Sequence, residues 1–373
     1  MIWKSVIGNR EIRENLKNSV VEKRLSHAQL FSGKNGWGTL NMALAYIAEI
    51  LAADKSEASA KKVLSLQHPD VHFSFPVISD DKRKNPTSNM FIREWREFIL
   101  QQPYGSLYDW LEFLEVPKKT GIINVHEAAE INQFLSLNSY EGSYKFCVIW
   151  QAEMLNSGAA NKLLKSIEEP PDKTIFILIT EREDLLLPTI ISRCQTVNFN
   201  KLTDDEITQY LVDKGFDEQK SVKTAISSNG DLREALLLVN ASNEEFEDRF
   251  IEWVRNAFMA KTNPAVLKDL IKWSEELSAW PREKQKQFFI YCSETFRQAL
   301  LQNYNAGSLV YMKPDANGFK WEKFSNYIHG GNIELLLKEI NNAAYHIERN
   351  ANPKIVLLDL SILMTRHLHT QIV

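Results

Sequence analysis

Cysteine is scarce in this chain: three residues among 373, Cys147, Cys194 and Cys292, all far apart. That spacing gives no metal-ligand set and fits a reducing compartment. Long hydrophobic runs are missing too. No apolar stretch approaches the roughly 20 residues that span a bilayer. The stretch Met1 to Leu16 is charged throughout and lacks the apolar core of a signal peptide. Together these absences predict a cytoplasmic chain with no membrane partner. An excess of positive charge is also absent, since the formal charge is −4. A protein that grips nucleic acid by itself wants a Lys or Arg for each phosphate contact. Any such role here is local or shared with partners. Internal repeats and low-complexity tracts are lacking as well.

What is present is ordinary for a globular protein, with 44% hydrophobic and 25% charged residues. The length suffices for about two or three domains, each with its own core. Ile12, Leu16, Val20 and Val21 make an apolar stripe at helical spacing. A strand at 27–31 follows, then a glycine loop, then an Ala- and Leu-rich helix over 40–53. Residues 54–90 read as polar and irregular, with a strand over Val71–Val77 and an exposed loop at 79–90. The stretch 91–115 carries Phe91, Trp95, Phe98, Trp110 and Phe113, which predicts a packed helical insertion rather than a base-stacking surface. Strands at 122–123, 145–150 and 174–180 alternate with helices at 126–137 and 156–168 and a short one near 183–187. Alternating apolar strands and helices predict a three-layer α/β/α domain with a parallel sheet. Beyond residue 198 the strand signal stops. Short helices at 203–214, 217–228 and 230–240 precede long amphipathic ones at 244–260, 264–278, 281–303, 333–349 and 353–370, with a break at 304–320. Pro353 suits the first position of the last helix.

The glycine loop is the first chemical signal. A phosphate-binding P-loop reads G-x-x-x-x-G-K-[ST]: backbone N–H groups cradle phosphates, the Lys reaches them, and the hydroxyl binds Mg²⁺. Here Gly33, Gly36 and Gly38 lie between a strand and a helix, with Gly33 and Gly38 at the required spacing. Thr39 stands where the Lys belongs, and Leu40 where the hydroxyl belongs. Lys34 is at the wrong end of the loop to substitute. A loop of this kind alone is equally well a tight turn. The second half of such a site is an apolar strand ending in acids that hold Mg²⁺. The matching strand, Lys145 to Ile149, runs into Trp150 and Gln151, which cannot replace two carboxylates. Glu153 falls three residues beyond Trp150, in the following turn. Two losses in register argue for a retired nucleotide site.

The densest signal is Leu187-Pro188-Thr189-Ile190-Ile191-Ser192-Arg193-Cys194. It resembles the Pro-Thr-Ile and Ser-Arg-Cys motif of the bacterial DNA polymerase III clamp-loader subunits, AAA+ proteins. Asn161 to Pro171 is similar to the helix before that family's sensor-1 strand, and Tyr140 to Lys145 to its approach to the Walker B strand. Gly230 to Leu236 resembles its sensor-2 helix, and Ala351 to Lys354 the start of its last collar helix. The likeness is good over 1–240 and weak beyond. Within the family, the delta-prime subunits lack a working Walker A yet keep Ser-Arg-Cys, and this chain shares that combination.

The resemblance implies an α/β domain followed by all-α structure: an AAA+ core over 1–200, a helical lid over 201–241 and a helical collar over 242–373. It implies a non-catalytic subunit that assembles with gamma/tau and delta subunits and loads the sliding clamp on primed DNA. No cofactor and no metal are expected here; ATP and Mg²⁺ would be bound by partner subunits. Arg193 would reach the γ-phosphate held by a neighbour, with Ser192 and Cys194 setting the loop's geometry. In isolation Arg193 reads as a surface ion-pair residue. Arg233 reads equally as a phosphate sensor without a phosphate or as a residue that holds the lid. Thr180, in the sensor-1 region, has no task left.

The family's four-cysteine zinc module is absent from 52–67. His68 and His72 are four apart, but Pro69 and the strand pattern argue against one helix face, and no zinc is expected. Two other readings stay open: an active AAA+ ATPase with an unusual P-loop, and a scaffold or DNA-binding protein that kept only the fold.

Overall fold

The computed structural model describes residues 2–370 except 55, 80–82, 118, 142–143, 241–242, 311 and 350. Part of the charged run after Ser79, Gly142 and Ser143 before the third strand, and the expected boundary at 241–242 therefore lie outside the described residues. The chain forms two compact units, Met1–Leu236 and Leu237–Val373. Most of the stretch read as a lid belongs to the first.

The first unit is built on five parallel strands: β1 Ala28–Ser32, β2 Val71–Ser74, β3 Lys145–Trp150, β4 Thr174–Thr180 and β5 Gln195–Asn198. Their order is β2-β3-β4-β1-β5. Strands β3 and β4 are buried along their whole length, as apolar strands covered on both faces must be. Side chains alternate between two cores. Phe146, Val148 and Trp150 join Ile175, Ile177 and Ile179 on one face, with the helix Thr39–Asp54. Cys147 and Ile149 join Phe176 and Leu178 on the other, with the helices Val125–Ser136 and Ser157–Glu168. The three-layer α/β/α domain followed by all-α structure is the fold class the sequence pattern calls for.

Several local expectations need correction. The strand read over Val71–Val77 stops at Ser74, and Val77 makes only an isolated antiparallel bridge to Ile122. The strand read at 122–123 is likewise two isolated bridges, the second from Ile123 to Leu155. Within the stretch read as irregular, Glu57–Leu64 is a helix whose N-cap, Ser56, accepts the Ser59 N–H. The loop read as exposed has Pro86, Thr87 and Ser88 buried. The cause is Glu127, itself buried, which accepts the Ser88 N–H at 2.6 Å and meets His72 Nε2 at 2.9 Å. His68 instead meets Glu141 at 3.2 Å, so the two histidines serve different carboxylates.

The aromatic stretch forms the helices Ile92–Gln101 and Leu107–Phe113. Trp95 and Trp110 are wholly buried, and Trp95 stacks on Phe75 with centroids 4.6 Å apart. It is a packed insertion, and its rings are unavailable for stacking on bases.

The second unit is helical, with Asn243–Ala260, Leu267–Ser278, Arg282–Asn303, Ile333–Glu348 and Pro353–His367 as its long elements. Trp253 and Trp273 stack at its centre, 5.3 Å apart, and the Trp253 indole donates to Ser361 Oγ. Pro353 occupies the first helical turn, capped by Asn352. No helix among the described residues is long and apolar enough to cross a membrane.

Candidate functional site: a closed glycine loop and an arginine at the opposite sheet edge

Because all five strands are parallel, the first unit has two chemically different edges. The glycine loop follows β1 at the carboxyl-terminal edge, where Gly33 N–H donates to Thr180 O of β4. Gly38 takes the left-handed conformation, φ 84°, before the helix at Thr39. The frame of a phosphate cradle is therefore formed.

Its interior is taken by the protein's own side chains. Glu181, the residue after β4, accepts the Asn35 backbone N–H at 2.8 Å and the Asn35 amide at 2.9 Å. A carboxylate thus sits on a loop N–H that would serve an anion. Asn35 Oδ1 accepts the indole N–H of Trp150, so the residue in place of the first Walker B acid is tied to the loop. From the lid, Asp231 presses on Gly36, where a Cβ would come within 1.8 Å of Asp231 Oδ1. Only glycine allows that approach. Lys34 pairs with Asp231 at 3.4 Å. Thr39 is wholly buried, and its hydroxyl has no partner among the described residues. Leu40 is buried as well.

Gln151 is buried in the left-handed region, φ 57°, leading into the short turn Ala152–Met154 that carries Glu153. Glu153 accepts the Glu181 N–H at 3.1 Å. Burial pushes the carboxyls of both Glu153 and Glu181 above the usual carboxylate range, against the hydrogen bonds they accept. Thr180 keeps structural tasks: its carbonyl holds Gly33, and its hydroxyl accepts the Arg182 N–H.

Arg233 is engaged as a lid fastener. Its guanidinium meets Asp109 of the aromatic insertion through two bonds, 2.5 and 2.8 Å, and both side chains are nearly buried. Burial works to raise the Asp109 carboxyl, but the Arg233 pair and the Ser106 bonds outweigh it and hold it below the usual range. Asp109 also closes a capping box with Ser106.

The residues do not fit a Mg²⁺-nucleotide. Thr39, Leu40, Trp150 and Gln151 stand where a P-loop ATPase carries a Lys, a hydroxyl and two acids, and the Glu181 carboxyl lies on a loop N–H. The sequence pattern shows the replacements at Thr39, Leu40, Trp150 and Gln151. It misses Asn35, Glu181, Asp231 and Asp109, which complete the closure.

Arg193 lies at the other edge. It follows the short helix Pro188–Ile191 and precedes β5. Its Nε donates to Glu168 at 2.8 Å, and its Nη1 to the Thr189 carbonyl at 3.0 Å and to Ser192 Oγ at 3.5 Å. Its Nη2 makes no hydrogen bond among the described residues, and the side chain is partly exposed. Ser192 Oγ donates to the Thr189 carbonyl, which shapes the turn. Cys194 is half-buried, and burial pushes its thiol up to about 11, which works against the thiolate form. Gln195 of β5 pairs with Gln29 of β1, and Asn198 with Ser32. Arg193 is thus separated from its own loop by the length of a strand, on the order of 10 Å at the usual rise per residue.

The family model described as DNA polymerase III, delta subunit, matches residues 8–203, more than half of the chain. The chain belongs to that family. DNA polymerase III subunit delta' of Bacillus subtilis (strain 168) is 30% identical over 239 residues, 62% of this chain and 59% of that one. DNA polymerase III subunit tau of the same organism is 29% identical over 244 residues, 64% of this chain and 37% of that one. The chain thus matches less than two thirds of the length of either relative. A solved gamma subunit-related protein from Thermotoga maritima covers 96% of this chain and 99% of its own at 15% identity, with a TM-score of 0.41. In this DNA polymerase III delta-subunit family member, the matched region holds the glycine loop, Trp150 and Gln151, and the Ser192-Arg193-Cys194 turn.

Proposed function

We propose that the chain is a non-catalytic clamp-loader subunit of the delta-prime kind, working in the cytoplasm beside gamma/tau and delta subunits to load the sliding clamp on primed DNA. Its relatives bear the names of DNA polymerase III subunits, both delta' and tau, so subunit type rests on the site. One observation carries the reading: a closed glycine loop at one sheet edge and Arg193, with a spare Nη2, at the other. An arginine that cannot reach its own loop serves a phosphate only in a neighbour. There its planar fork suits the γ-phosphate, and a finger in trans is worth roughly 10³–10⁵ in rate. ATP and Mg²⁺ belong to that neighbour. The alternative of an active ATPase needs a loop that Glu181, Asn35 and Asp231 occupy.

The test is reconstitution with gamma/tau and delta subunits, with wild-type chain or Arg193→Ala. The expected result is an intact complex whose ATPase falls by the share of the site facing Arg193, and a chain that by itself binds no ATP in equilibrium dialysis. An unchanged ATPase in an intact complex sinks the finger and leaves a scaffold.

A further inference from the structure

The second unit contains a cavity of about 330 Å³ that the reading above does not use. Its walls are Val254, Phe258, Phe319, Phe324, Tyr327 and Leu368. The rings hold one another: Phe258 meets Tyr327 edge-on at 4.7 Å, and Phe319 meets Phe324 at 5.3 Å. The cavity is therefore formed before anything enters it, which lowers the ordering cost of binding. Three cations, Arg255, Lys320 and Lys323, also line it, and no carboxylate does among the described residues. Arg255 is fixed by a bond to the Asn317 carbonyl and stands over the Phe319 ring. No ion pair is recorded for Lys320 or Lys323 among the described residues. In a chain of net charge −4, three cations without an acid around an apolar hollow are a local bias, not a reflection of overall composition.

We propose that this cavity is a docking site for an acidic segment of a partner protein that inserts one aromatic side chain while its carboxylates meet Lys320, Lys323 and Arg255. Apolar walls with a few convergent polar groups are the usual make-up of a side-chain pocket. Charge complementarity selects the acidic partner. Single-stranded nucleic acid is the weaker candidate. It wants several rings presented face-out along a track of cations, whereas here Phe324 is nearly buried and Tyr327 is the exposed ring of the lining.

The test uses the full chain and fluorescein-labelled Asp-Asp-Glu-Phe peptide in fluorescence anisotropy. Controls are the Asn-Asn-Gln-Phe and Asp-Asp-Glu-Ala peptides and a labelled oligothymidylate. Saturable binding is expected for the first peptide only. It should weaken by about tenfold, equivalent to 1.4 kcal/mol, in the exposed double variant Lys320→Ala/Lys323→Ala. A second variant, Phe258→Leu, should weaken binding while leaving the circular dichroism unchanged. Absence of saturable binding, equal binding of the Ala-ended peptide, or no effect of the lysine variant overturns the proposal. Tighter binding of oligothymidylate that the lysine variant abolishes overturns it in favour of nucleic acid.

Discussion

The two edges of the parallel sheet treat their polar groups in opposite ways. At the carboxyl-terminal edge, the glycine loop is engaged internally: Asn35 with Glu181, Trp150 with Asn35, and Gly36 in close contact with Asp231. At the amino-terminal edge, Arg193 is held by Glu168 and Thr189 but keeps Nη2 unbonded among the described residues. A buried loop N–H left without an acceptor carries a cost, and this chain satisfies that of Asn35 with a carboxylate of its own. A finger must stay incomplete until its partner arrives. On the proposed reading, the contrast teaches that the loop serves as structure while the turn at Arg193 keeps a donor for a partner.

The largest effect that would break this contrast lies at Arg193. In the reconstituted complex, Arg193→Ala should slow the facing ATP site by at least about 10³-fold. The variant chain alone should unfold in urea as the wild type does, since an exposed pair is worth roughly 0–1 kcal/mol. A large stability loss with normal ATPase would make both edges structural.

The sequence pattern makes one edge more legible than the other. Strands β3 and β4 announce themselves because Phe146 to Trp150 and Ile175 to Ile179 are unbroken apolar runs. The losses at Thr39, Leu40, Trp150 and Gln151 are legible because a motif fixes what should stand there. The closure is not. Asn35 and Glu181 are 146 residues apart, and Asp109 and Arg233 are 124 apart. No local periodicity links such pairs; only the sheet order and the lid's docking bring them together. Ser88 was hidden for the same reason. Its burial depends on Glu127, a residue that helix amphipathicity alone would place in solvent.

Next in size is the lid fastening. Asp109→Ala removes one member of a nearly buried, two-bonded pair and one half of the capping box at the start of its own helix. It should destabilise the chain by about 3–5 kcal/mol, measured by urea unfolding. Because the folded carboxyl lies below its usual range, its contribution is fully present above the unfolded value, near 3.9, and is lost as pH falls further. Asp109→Asn should therefore flatten the acid side of the stability profile. An unaltered acid limb would show that the pair does not hold the lid.

A smaller effect of opposite sign is expected at the loop. Burial raises the Glu181 carboxyl, so its contribution favours the folded state at low pH and is lost as pH rises through its folded value. Glu181→Gln keeps an oxygen for Asn35 and removes the buried charge. It should raise stability at pH 7, with the gain fading toward pH 4, and should still bind no ATP. If the variant binds ATP, Glu181 is a plug rather than a fixed part of the core, and the loop is only masked.

The smallest expected effect tests the other edge. Glu168→Gln removes the charge that holds Arg193 Nε, in a pair whose carboxylate is half exposed. Solvent screens such a pair, so stability should change by no more than about 0.5 kcal/mol. The reconstituted ATPase should stay within about twofold, because the Thr189 carbonyl still holds Nη1 and the guanidinium is still presented. This null result is informative only beside Arg193→Ala. If Arg193 exists only to bind Glu168, both variants should leave the ATPase near the wild-type rate, since both act on the same surface pair. If Arg193 exists to meet a neighbour's phosphate, they must match in urea and part in ATPase.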